Sequence, residues 1–96
     1  MRLIYSRRAL ADLDRIATYY ASAASPSVAR SIGKRIESVV DQICRTPHAA
    51  PTLSKRSGVR VMAVVRYPFR IFYRVQPECV EIVHIRHTSR RPLAST

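Results

Sequence analysis

Glycine occurs only twice in the 96 residues, at Gly33 and Gly58. No glycine-rich loop is therefore available to cradle a nucleotide phosphate. Cysteine also occurs twice, as Cys44 and Cys79. They have neither the spacing of a zinc site nor the number of a disulfide framework. A free cysteine of this kind is expected to behave as a small buried hydrophobe. No apolar run approaches the roughly 20 residues that a membrane helix needs. The first residues do not join a basic stretch to an apolar run and a cleavage site. A soluble, cytoplasmic protein is the expectation. Acidic residues are scarce as well, six against seventeen Lys and Arg, for a net charge of +11. The imbalance is uneven. Residues 1–41 carry seven basic and four acidic side chains, and residues 42–96 carry ten and two. Self-repulsion on this scale is relieved by an anionic partner, either nucleic acid or an acidic protein.

A chain of this length forms one domain, here residues 1–96, and buries one modest core. Residues 2–5 (RLIY) read as a short strand. Ser6 is placed to cap a first helix. Its apolar face is expected at Leu10, Leu13, Ala17, Tyr20 and Ala24, spaced by three and four. Asp12, Arg15 and Tyr19 fall on another face, where an exposed tyrosine hints at a contact surface. Ser25-Pro26 stops this helix and opens a second, with serine at the cap and proline in the first turn. The second stripe is Ala29, Ile32, Ile36, Val39, Val40 and Ile43, widened by Val28, Gly33 and Cys44. A closely crossing helix would explain Gly33, since glycine costs about 1 kcal/mol of helix propensity. Thr46-Pro47 ends the element. The short link makes an antiparallel helical hairpin.

Residues 47–58 form the long loop. Three strands follow, at about 59–65, 69–75 and 79–86, rich in Val, Ile, Phe and Tyr and divided by the proline turns RYP and QPE. The expected order is β-α-α-β-β-β: an α+β fold with the hairpin packed on an antiparallel meander. Strand residues alternate between faces. Val59, Val61, Ala63 and Val65 align with Phe69, Ile71, Tyr73 and Val75, and with Val80 and Ile82, on the face expected to meet the helices. The other face then carries Arg60, Met62, Val64 and Arg66, next Arg70, Phe72 and Arg74, next Glu81, Val83, Ile85 and His87. A turn at Pro77-Glu78 sets Arg74 opposite Glu81. Apolar residues rimmed by arginines read as a binding surface, unless the tail after His87 covers them.

Few residues suggest catalysis. No nucleophile-histidine-acid set is visible, and no cofactor or metal is expected. His84 and His87 point to opposite faces of their strand. RNA cleavage through the 2′-hydroxyl needs a proton acceptor, cations to steady the phosphorane and an acid for the leaving oxygen. Arg60, Arg70 and Arg90 are the available cations. His87 is the candidate acid or base, because histidine titrates near neutrality. No tyrosine follows Tyr73.

Three segments together resemble the RelE/ParE superfamily of type II toxins, on the ParE side. The opening RLIYSRRALADLDRIATYY has a strand, a serine-led turn and an A-x-x-D-L-x-x-I helix. GVRVMAVVRYPFRIFYRV resembles a G-x-R element followed by Y-x-x-R-I-x-Y-x-V, and VEIVHIRHTSRR resembles the ParE-like ending. The resemblance implies the fold above and a toxin held by a ParD-like, acidic antitoxin in a hetero-oligomeric complex. It implies inhibition of DNA gyrase by protein–protein contact. The alternatives are a RelE-like ribosome-dependent mRNA endonuclease and a basic module that binds nucleic acid directly. In the nuclease pattern Arg70 and Arg90 fall on two arginines and Arg60 on a lysine position. Met62 stands where a second lysine would be, and the C-terminal tyrosine has no counterpart. His87 fits the ParE-like ending instead. The expected partner-binding residues are Tyr19, Arg60, Arg70, Phe72, Arg74, Val83, Ile85, His87 and Arg90.

The stripe on the second helix yields a direct test. Ile36→Asp buries a carboxylate without a partner. The cost should remove most of the roughly 5–15 kcal/mol that stabilises a domain of this size. The variant should lack a cooperative thermal transition by circular dichroism; a soluble variant that melts cooperatively would refute the assigned core.

Overall fold

The structure is a computed structural model that describes residues 2–53 and 58–88. Its elements run β1 (Arg2–Tyr5), α1 (Arg7–Ala23), α2 (Pro26–Arg45), β2 (Val59–Val64), β3 (Phe69–Val75) and β4 (Cys79–His87). The four strands make one sheet in the order β1-β4-β3-β2. β2, β3 and β4 form the antiparallel meander, and β1 joins the far side of β4 in parallel. The expected β-α-α-β-β-β order and α+β class are observed, with the sheet mixed through β1. Among the described residues no helix is long and apolar enough to cross a membrane.

Local signals place the helix ends. The Ser6 hydroxyl accepts from the Ala9 N–H at 2.9 Å, and Ser25 accepts from the Val28 N–H at 3.1 Å. Pro26 occupies the first turn of α2, where its missing N–H is not needed. The α2 stripe holds: Ile32, Ile36, Val39, Val40 and Ile43 are buried. They meet Phe69, Ile71, Tyr73, Val80 and Ile82 from the sheet. Gly33 is exposed, and a Cβ built there meets nothing within 4 Å. Among the described residues the expected close crossing is absent, and none of them requires glycine there. Both cysteines are free; Cys79 is buried and Cys44 half-buried. Burial, then Asp41, pushes the Cys44 pKa up, the condition of an unreactive thiol.

The α1 face is turned from its expected position. The buried residues are Ala9, Asp12 and Ile16, with Leu13 and Tyr20 packed beside them. Leu10 is 53% exposed, and Ala17 and Ala24 are exposed. Asp12, expected on a polar face, is only 2% exposed. A stripe of Ala9, Asp12, Leu13, Ile16 and Tyr20 has the same three-and-four spacing, but one member is a carboxylate.

Two strands also present other faces than expected. Residues opposite one another in an antiparallel pair share a face. Val64 lies opposite Phe69, Met62 opposite Ile71 and Arg60 opposite Tyr73. Val65 is drawn into the turn, so four residues rather than three separate the strands, and the parity of β2 inverts. Arg60, Met62 and Val64 therefore lie on the helix side, while Val59, Val61 and Ala63 lie opposite Arg74, Phe72 and Arg70. In β4 a bulge intervenes: Phe72 faces His84, but Tyr73 faces Ile82, so Val83 is the extra residue. Beyond it the alternation is reversed. Ile85 and His87 lie opposite Ile71 and Phe69 on the core face, and His84 and Arg86 take the outer positions.

Arg60 and Tyr73 use this placement to tie down the loop after α2. The Tyr73 hydroxyl donates to the Pro47 carbonyl at 2.8 Å. Arg60 donates to the carbonyls of Ala50 at 2.6 Å and His48 at 3.2 Å. Burial pushes the Tyr73 pKa above its ordinary 10.0, against the opposing pull of Arg60. A raised folded-state pKa means that this contribution is complete below about pH 10 and lost as pH rises through the folded value. Tyr73→Phe should cost about 1 kcal/mol at neutral pH. It should also flatten the loss of stability above pH 10 in urea titrations; an alkaline profile as steep as the parent's would count against this role.

Candidate functional site

Both helices pack on one face of the sheet, so the outer face carries a different surface. Across its middle run Val61, Phe72 and His84, from β2, β3 and β4. All three are half-buried. The His84 ring stacks on Phe72 with centroids 5.6 Å apart and planes 26° apart. The Arg86 guanidinium lies 5.7 Å from the centre of the Phe72 ring, within the reach of a cation–π contact. Arg70 lies opposite Arg86 and Ala63 at one end. At the other, Arg74 pairs with Glu81 at 3.6 Å, the cross-strand pair that the short turn predicts. Apolar surface in the middle and arginine at the edges is the layout of a protein-binding patch.

His84 is held from behind by α1. β1 ends opposite Ile82, which leaves the rest of β4 with an open edge. Ser6 meets it first: its N–H donates to the Ile82 carbonyl at 2.9 Å and its hydroxyl to the Val83 carbonyl at 2.8 Å. Asp12 meets it next. One carboxylate oxygen accepts from the Ile85 N–H at 3.0 Å and lies 2.6 Å from Nδ1 of His84. The other accepts from Arg15 at 3.2 Å. The carboxylate is buried but fully partnered, the condition under which a buried charge is tolerated. Nε2 of His84 faces the Arg8 guanidinium at 3.4 Å. Nδ1 donating to Asp12 and Nε2 accepting from Arg8 fit one neutral tautomer. These contacts at both ring nitrogens fix the orientation of the ring.

The expected site residues separate into groups. Arg70, Phe72 and Arg74 share the outer face. Val83 is half-buried at the bulge. Ile85 is buried in the core at 2% exposure, because the bulge turns it inward. His87 is half-buried and packs edge-on against Phe69 at 5.6 Å. Arg60 is on the helix side, bonded to loop carbonyls. Tyr19 is 51% exposed on α1, against Tyr20 at 4.9 Å. It lines a shallow groove with Ala11, Asp14, Arg15 and Thr18, away from Phe72. Arg90 lies outside the described residues, as does the tail from residue 89. The cations and histidine considered for RNA cleavage are thus divided: Arg70 is on one face, Arg60 and His87 on the other. Among the described residues no three His, Cys, Asp or Glu side chains form a metal-binding group.

Arg8, Asp12, His84 and Arg86 were not among the site residues expected from the sequence. The available signal was Asp12 itself, a carboxylate at a stripe position of an otherwise apolar face.

The family described as the ParE toxin of the type II toxin-antitoxin system, parDE, matches residues 3–92. Among solved structures, the chain is similar to one from the chromosomal ParDE toxin-antitoxin system of P. aeruginosa. That similarity has a TM-score of 0.82 and 29% identity and covers 93% of this chain and 97% of the other. A YoeB/ParE toxin from Agrobacterium tumefaciens shares the fold at a TM-score of 0.64 and 17% identity, covering 91% of this chain and 98% of the other. No curated protein matches at a significant level.

Asp12→Ala leaves the buried Ile85 N–H without an acceptor and frees the His84 ring. It should destabilise the protein by about 1–3 kcal/mol. Asp12→Asn, which retains an acceptor oxygen, should cost less. Urea unfolding of the two variants checks the order, and an alanine variant as stable as the parent would refute the role of the carboxylate.

Proposed function

The chain belongs to the ParE toxin family of type II toxin-antitoxin systems, and we propose that an acidic, ParD-like antitoxin neutralises it by covering the outer face of the sheet around Phe72. The observation that carries this reading is Phe72 itself. It is an aromatic ring on the face away from both helices, stacked on His84 and ringed by Arg70, Arg74 and Arg86. A buried aromatic anchor gives an interface much of its affinity. Surrounding arginines speed encounter with an acidic partner more than they tighten the final complex.

The proposed cellular target is DNA gyrase, inhibited by contact and without a bond made or broken by the toxin. Family membership supports it, as does the likeness to a structure from a ParDE system. Met62 in place of a nuclease lysine and the lack of a tyrosine after Tyr73 also favour it over mRNA cleavage. Loss of one electrostatic group from an active site costs roughly a hundredfold or more in rate, and loss of a proton-transfer group costs a similar factor.

Arg70→Glu/Arg74→Glu should slow association with the antitoxin by about tenfold at low salt and weaken its dependence on ionic strength. On-rates equal to the parent's at every salt concentration would exclude this face. Purified toxin should inhibit gyrase supercoiling and leave mRNA intact on translating ribosomes. Cleavage of that mRNA, abolished by His87→Ala, would replace the gyrase reading with the nuclease one.

A further inference from the structure

On the helix side of the sheet, away from Phe72, the flank of α2 and the β2–β3 turn border an open cationic groove. It has a volume of about 400 Å³ and is lined by Ser31, Lys34, Arg35, Ser38, Arg66 and Tyr67. Three of the six are cations, the other three carry hydroxyls, and no acid is among them. The helix repeat accounts for four of the six: Ser31, Lys34, Arg35 and Ser38 recur at three and four along one side of α2. The acids of α2, Glu37 and Asp41, lie toward β1. There they add to burial in raising the Tyr5 pKa.

Arg66 comes from the turn in an unusual conformation. Its φ of +80° lies in the left-handed region that favours glycine. A long side chain held there costs backbone energy and marks a position where function is worth seeking. The position presents a guanidinium opposite Lys34 and Arg35.

The chemistry of the lining selects the ligand. Arg and Lys with Ser and Tyr hydroxyls are the usual donors to phosphate oxygens. A tightly held peptide needs apolar anchors as well as charge, and no aliphatic side chain is among the six that line this groove. We propose that the groove binds the phosphates of a nucleic-acid strand, independently of the antitoxin face. The interaction is with the backbone and carries no base specificity.

The test uses the full chain and a short fluorescent single-stranded DNA, read by anisotropy. RNA of the same sequence and duplex DNA provide parallel arms. The parent should bind with a slope of about −2 in log affinity against log salt, as for three phosphate contacts on a single strand. Lys34→Glu/Arg66→Gly should weaken binding about tenfold or more and reduce that slope. Glycine relieves the positive φ, so Arg66→Gly alone should melt no lower than the parent while still binding more weakly, which separates lost binding from lost folding. Arg70→Glu/Arg74→Glu on the outer face should leave affinity within about twofold. Equal losses in the two double variants would overturn the groove in favour of diffuse charge. Displacement of the strand by polyglutamate at lower concentration than by unlabelled DNA would make an acidic protein the occupant and overturn the proposal. Tripolyphosphate binding as tightly as the strand would overturn it in favour of a free phosphate compound. None of these failures touches the antitoxin reading, which rests on Phe72.

Discussion

One buried carboxylate joins the two halves of this fold. Asp12 sits in the first half of α1, accepts the Ile85 N–H from the open edge of β4, and holds the His84 ring and Arg15. An open strand edge is a row of unsatisfied backbone donors and acceptors. β1 is only four residues long and pairs with only the first part of β4. Ser6 and Asp12 meet the groups that follow. The chain therefore closes its sheet edge with the helix it enters directly after β1. The cost of burying a charge is offset by three partners.

The same contact shapes the outer face. The bulge at Val83 turns Ile85 inward, where it completes the core beside Ile71, and sends His84 and Arg86 outward to Phe72. Without the extra residue, Ile85 would lie outside and His84 in the core. Bulges occur where a strand must redirect a side chain or end its pairing, and here both happen next to Asp12. Phe72 is thus supported by a ring that is oriented from the opposite layer of the molecule. A rigid aromatic surface loses little freedom when a partner covers it, which favours binding.

Charge is distributed between two sides. The outer face sets arginines around an apolar middle, whereas the groove beside α2 sets cations among hydroxyls. The first suits a protein partner with apolar anchors. The second suits phosphate. In a chain of net charge +11, these two local settings say more about ligands than the total charge does.

The helix caps at Ser6 and Ser25, the α2 stripe, the element order and the Arg74–Glu81 pair were all legible from residue types and spacing, because each depends on neighbours within a few positions or across a two-residue turn. The family resemblance was legible too, carried by three segments in the right order. What was not legible was parity. Val65 joining the turn inverted β2, Val83 bulging inverted the end of β4, and Asp12 posed as a polar surface residue until the edge of β4 supplied its partners. A strand's alternation has period two, so one residue gained or lost reverses every side chain beyond it. Local sequence determined which segments are helix and strand, since propensity and capping act over a single turn. Only the tertiary structure decided which face each strand residue occupies, because register is set by pairing between segments as distant in sequence as Asp12 and Ile85.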